Sequence, residues 1–133
     1  MIRTRFWFVV VAALALGATQ VVDGQGVVKS AEASGFIGTW VFAMTNPQGA
    51  QETVRIVDNN GVLSGSVQAG RFPPIEVSRM LKDGDMLVLT ATRFENGRPI
   101  RAVISLMQNG ESMNMAQMLE FSETIKRGPG RKQ

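Results

Sequence analysis

Five turn signals punctuate the chain at short intervals: Asn46-Pro47-Gln48-Gly49, Asp58-Asn59-Asn60-Gly61, Asp83-Gly84-Asp85, Asn96-Gly97 and Asn109-Gly110. Asn-Gly and Asp-Gly supply the positive φ values that tight hairpin turns require. No segment from Gly35 onward carries a convincing helical period. The spacing predicts strands at 37–45, 52–58, 62–68, 75–82, 86–94, 99–107, 112–121 and 122–127. Hairpin following hairpin predicts an all-β fold, an eight-stranded antiparallel up-and-down barrel.

Two hairpins define the inward face. A two-residue Asn96-Gly97 loop sets Arg93 opposite Ile100, Ala91 opposite Ala102, Leu89 opposite Ile104 and Leu87 opposite Leu106. The same treatment of Asn109-Gly110 sets Leu106 opposite Met113, Ile104 opposite Met115 and Ala102 opposite Gln117. Both hairpins agree on which face is apolar, and a slip of one residue would invert every side chain. Earlier in the chain, Val54, Ile56, Leu63 and Val67 are expected to point inward. At Asp83-Gly84 a two-residue loop would turn in Glu76, Ser78 and Met80. A three-residue loop would turn in Ile75, Val77, Arg79 and Leu81. Burial favours the longer loop.

The predicted barrel occupies residues 36–127. Before it, MIRTRFWFVVVAALALGATQ places Arg3 and Arg5 ahead of an apolar run and then small residues. That order is the one a secretory signal peptide has, here taken as 1–24. The run is short for a membrane span, which takes roughly 20 apolar residues. Residues 25–35 read as a flexible arm and 128–133 as a solvated basic tail. Processing would remove Arg3, Arg5 and Asp23, so the 14 basic and 11 acidic side chains become 12 and 10. This mild balance points away from nucleic acid. There is no cysteine, hence no disulfide framework and no cysteine for a lipid anchor. The chain is expected to be secreted or periplasmic in a bacterium, with no stable membrane anchor after processing.

Gly38-Thr39-Trp40 opens the first strand, and this Gly-x-Trp resembles the first strand of the lipocalin/calycin superfamily. Together with LSGSV, DGDMLVLTAT and SETIKR it also resembles small exported bacterial proteins that share the pattern. The resemblance covers about residues 35–127. It implies that Gly38 and Trp40 close the barrel base and that a basic side chain of the last strand, Lys126 or Arg127 with Arg127 favoured, lies across the indole ring. A guanidinium stacks on such a face better than an ammonium.

The chain has no His, Cys or Tyr, which removes Ser-His-Asp and Cys-His catalysis and ordinary zinc sites. Asp83 and Asp85 flank a turn glycine, where acids are ordinary turn formers. Glu76 and Glu95 have no sequence relation that would pair them. No enzymatic activity, metal or cofactor is expected. Met107, Met113, Met115 and Met118 are soft ligands in one short stretch. Met113 and Met115 share one face while Met107 and Met118 fall on the other, so only two sulfurs converge and flexible core filling accounts for them better than Cu(I). The inward face offers apolar walls with isolated polar groups, as small-molecule sites do. Leu89, Ala91, Arg93, Ala102, Ile104, Met113, Met115 and Gln117 are the candidate lining of a site for a small apolar or amphipathic molecule. Arg93 is placed to meet a ligand carboxylate, or else Glu95 or Glu76. An alternative is a protein-binding module resembling the barrel-shaped protease inhibitors, with residues 25–35 as its inserting arm. A third is a pocketless accessory domain.

Overall fold

The computed structural model describes residues 27–45, 48–122 and 124–133. Eight strands follow in order: β1 Gly38–Thr45, β2 Gln48–Asn59, β3 Val62–Ala69, β4 Ile75–Asp83, β5 Met86–Glu95, β6 Arg98–Asn109, β7 Ser112–Leu119 and β8 Ile125–Lys132. Each pairs antiparallel with the next, and β8 returns to β1, so the sheet is a closed barrel. The fold is compatible with the lipocalin-like architecture. The signal-peptide reading of 1–24 lies outside the described residues.

Alternation along the strands carries the core. Trp40, Phe42 and Met44 point inward from β1, and Val54 and Ile56 from β2. Leu87, Leu89 and Ala91 of β5 meet Leu106, Ile104 and Ala102 of β6 in the pairing expected for the Asn96-Gly97 turn. Both turn residues have positive φ, 55° and 80°, the type I′ geometry that Asn-Gly favours. The next hairpin differs. Asn109 pairs with Ser112, so Gly110 and Glu111 form the loop. Leu106 therefore faces Met115 and Ile104 faces Gln117, two residues from the expected register. A glycine can open a turn as readily as it can end one. A shift of two keeps the same face inward, so Met113, Met115 and Gln117 are still buried.

β4 combines both expectations for its face. Its ladder with β5 shifts between Val77 and Arg79, a bulge at Ser78. Met80 is buried while Leu81 and Arg79 are exposed, and Ile75 and Val77 are half-buried against the core. A bulge switches the inward parity of a strand partway along it. β4 then meets β3 only through Ser66↔Glu76 and Val67↔Ile75.

The edge of β3 that β4 leaves is taken by the segment expected to be a free arm. Lys29 bridges Val62, Leu63 N–H donates to the Val28 carbonyl at 2.8 Å, and Ser30 N–H to that of Gly61 at 2.9 Å. Single 3₁₀ turns at Ser30–Glu32 and Ser34–Phe36 follow. They bury Val28, Ala33 and Phe36. Covering an exposed strand edge in this way removes a template for aggregation. The Ser30 hydroxyl donates to Asp58, and the Gly61 N–H also donates to that carboxylate. These two donors, Ser30 first, hold the Asp58 carboxyl below its ordinary pKa.

The last strand is the largest departure. Residues 128–133 are not a tail, because β8 runs through Gly128-Pro129-Gly130 to Lys132. Gly128 and Gly130 face inward and are buried. A Cβ on Gly130 would collide with the Phe42 ring, and one on Gly128 with the backbone of Ala43 and Met44. β8 pairs with β1 at Gly130–Lys132 and with β7 at Ile125–Arg131. Pro129 lacks an N–H with which to extend the β1 ladder upward. The Thr45 hydroxyl instead donates to the Arg127 carbonyl at 3.1 Å.

At the base, Trp40 is buried and its Nε1–H donates to the Phe36 carbonyl at 2.9 Å. The cation over its ring is Lys132, with Nζ 5.7 Å from the centroid, and Arg127 is exposed on the outer wall. The strand extends five residues past the expected end, which carries a later residue to the base. Gly38 has φ 141°, and a Cβ there would run into the Lys132 side chain. Gly-x-Trp thus provides a ring, and the space for the cation that covers it.

Trp40→Ala is expected to cost about 3–5 kcal/mol in urea denaturation, from lost burial and the cavity left behind; an unchanged midpoint would refute this. A second expectation concerns pH. A carboxyl held below its ordinary value favours the folded state above that range, and the contribution is lost as pH falls. Amide exchange at residues 28–36 should therefore accelerate, relative to the β5–β6 hairpin, on acidification through the carboxylate range. Asp58→Ala should exchange fast there at neutral pH; protection equal to wild type would refute the latch.

Candidate ligand site at the barrel mouth

The up-and-down order sorts the connections between two ends. The β2–β3, β4–β5 and β6–β7 turns lie at the base, beside the N-terminal segment and Lys132. The β1–β2, β3–β4, β5–β6 and β7–β8 connections form the mouth. Inward positions near the mouth come from Glu52, Arg93 and Gln117, each near the mouth end of its strand.

These three form one cluster. Arg93 Nη2 lies 3.2 Å from Glu52 Oε1, and Gln117 Nε2 donates to the same oxygen at 3.0 Å. Glu52 is 4% exposed and Gln117 1%. The Arg93 side chain retains 12%. An ionised carboxylate can only accept, so the amide must present its NH₂ to Glu52 and turn Oε1 away. That Oε1 has no partner, and neither does the Arg93 Nε. Each such buried orphan costs about 1–3 kcal/mol unless something satisfies it. The site therefore holds one unused acceptor and one unused donor. Arg93 already has its anion, which weakens its pull on a ligand carboxylate; a neutral hydroxyl or amide suits the two orphans better.

Arg93 and Gln117 were expected in the lining, and the structure brings them together. The arginine's partner is Glu52, not Glu95 or Glu76. Sequence parity held this signal, since Glu52 shares its face with Val54 and Ile56; a carboxylate was not expected inside. Leu89, Ala91, Ala102, Ile104 and Met113 are fully buried and Met115 is 2% exposed. All but Ala102 belong to the main core cluster, which also holds Phe42, Val54 and Ile56. They form the floor beneath the polar cluster. Met107 and Met118 stand outside, 45% and 46% exposed, so the four sulfurs do not converge. Among the described residues no three carboxylates gather as a metal site would need. Clefts on the outer wall follow β8, one beside Val41, Ala43 and Arg131 and another beside Met107, Asn114 and Arg127.

Comparison with protein-family models, with curated proteins and with solved structures finds no match.

Glu52→Ala would strand a guanidinium and an amide together. Equilibrium denaturation should show a loss of about 2–4 kcal/mol, and Glu52→Gln a smaller one. A loss below about 1 kcal/mol for the alanine variant would mean that water already solvates the cluster.

Proposed function

We propose that this barrel is an exported, non-catalytic binding protein that holds a small amphipathic molecule at its mouth. The observation that carries the reading is the pair of orphaned polar atoms, Gln117 Oε1 and Arg93 Nε, beside a buried carboxylate. A ligand hydroxyl or amide would donate to the first and accept from the second. Its apolar part would rest on the mouth-facing side of the apolar floor, at Ala91, Ala102 and Met115, with Leu89, Ile104 and Met113 deeper beneath. A lipocalin-like carrier role agrees with this arrangement, as does the absence of His, Cys and Tyr from the chain. The packed floor favours a shallow ligand over a deep one. The segment 27–36 is committed to β3 and the core, which weighs against an inhibitor that inserts a free arm.

The test is titration with an N-phenyl naphthylamine probe, whose amine N–H can donate, alongside native mass spectrometry of gently purified protein. Wild type should take up the probe, and Gln117→Leu should weaken uptake roughly tenfold, in line with loss of one buried hydrogen bond. No uptake, or equal uptake by the variant, would overturn the reading.

A further inference from the structure

We propose that Asn96, in the β5–β6 turn at the barrel mouth, is a site of spontaneous deamidation, and that Asp58 shields Asn60 from the same chemistry. The chain has three Asn-Gly steps, at Asn60, Asn96 and Asn109. At such a step the glycine nitrogen can reach the asparagine side chain, because glycine has no Cβ to crowd the approach. Once that nitrogen has given its proton to hydroxide, it bonds to the asparagine Cγ. The Cγ–Nδ2 bond breaks, and ammonia leaves with a proton from water, which restores the hydroxide. A second water opens the cyclic imide to aspartate or isoaspartate. Water is the only co-reactant, and nothing is oxidised or reduced. The step needs no ligand, so it stands apart from the binding reading.

Two of the three steps share a backbone geometry. Asn60-Gly61 and Asn96-Gly97 are each a two-residue turn, closed by the pairs Asn59↔Val62 and Glu95↔Arg98. Asn60 and Asn96 have φ of 54° and 55°, and both glycines follow with positive φ. All four residues are exposed. The difference lies at the attacking nitrogen. The Gly61 N–H donates to Asp58 Oδ1 at 2.9 Å, and the Gly61 carbonyl accepts from the Ser30 N–H at 2.9 Å. That nitrogen must lose its proton before it attacks. A carboxylate that accepts the N–H opposes the loss, both by the charge-assisted hydrogen bond and by its negative charge. Among the described residues nothing accepts from the Gly97 N–H. Asn109 is a third case. It lies in the ladder, paired with Ser112, and the Ser112 hydroxyl donates to its carbonyl at 2.9 Å. This holds the peptide unit that has to rotate for the ring to form. Asn96 alone combines an exposed turn with an unheld glycine nitrogen. Aspartate there would set a second carboxylate beside Glu95. Isoaspartate would put the asparagine Cβ into the main chain of a two-residue turn, whose length fixes the register of the strand that carries Arg93.

The test incubates the folded full chain in mildly alkaline buffer and follows each Asn-Gly step by peptide mass spectrometry, with isoaspartyl methyltransferase labelling to count the rearranged product. Asn96 should be converted first. Asn60 should react roughly tenfold more slowly, the factor that a hydrogen bond to a charged group is worth. Asp58→Ala should raise the rate at Asn60 towards that at Asn96 and leave Asn96 unchanged. Asp58→Asn keeps an acceptor without the charge, so its rate at Asn60 should fall between, which preserves the comparison if the alanine variant loses the fold of its arm. In urea the three steps should react alike. Conversion at Asn60 or Asn109 as fast as at Asn96 in the folded protein would overturn the proposal. So would an Asn96 that reacts no faster than the asparagines without a following glycine, or an Asn60 that stays inert in both Asp58 variants. The folded ranking persisting in urea would assign it to local sequence and overturn it equally.

Discussion

How closely β8 can approach β1 decides whether this sheet closes. Phe42 lies directly opposite Gly130, and the β1 backbone at Ala43 and Met44 presses on Gly128. Either residue with a Cβ would hold the strands apart, because close-packed interiors have no slack to absorb the extra volume. Closure then removes the two edges an open sheet would expose. It also carries Lys132 across Gly38 onto the Trp40 ring, so the base is covered by the same strand that completes the wall.

The barrel is unequal along its axis. Its base is apolar, capped by the N-terminal segment and tied through the Trp40 indole. Its mouth holds a carboxylate, a guanidinium and an amide in one cluster. A core built only for stability would place apolar side chains there, since burying such a cluster is often no better than replacing it with well-packed apolar residues. The bulge at Ser78 adds a second asymmetry. It turns β4 away from β3, and the segment 28–30 is what repairs that edge.

Much of this was legible from residues alone. The Asn96-Gly97 hairpin came out pair for pair, and the inward set of β5, β6 and β7 came out correctly even where the pairing was off by two. Parity survives such a shift, whereas register does not. The eighth strand was expected at 122–127, but its run to Lys132 was hidden because Gly-Pro-Gly is ordinarily a breaker; its glycines are required by Phe42, a residue almost ninety positions earlier. The arm was hidden because nothing local in 25–35 signals that a strand edge elsewhere has been vacated. Of the mouth cluster, Arg93 and Gln117 could be read from their hairpins, while the charge that joins them comes from β2, across the barrel.

The sequence by itself determined the class of fold, the alternation that separates inside from outside, and the chemistry the chain lacks. These follow from local rules: turn residues that set φ, a period of two along each strand, and the side-chain inventory. Only the tertiary structure decided where the sheet closes, which cation covers Trp40, how β4 changes face and which carboxylate meets Arg93. Each of those depends on contacts between segments far apart in the chain. Their geometry is set by close approach across the barrel, which no local pattern encodes.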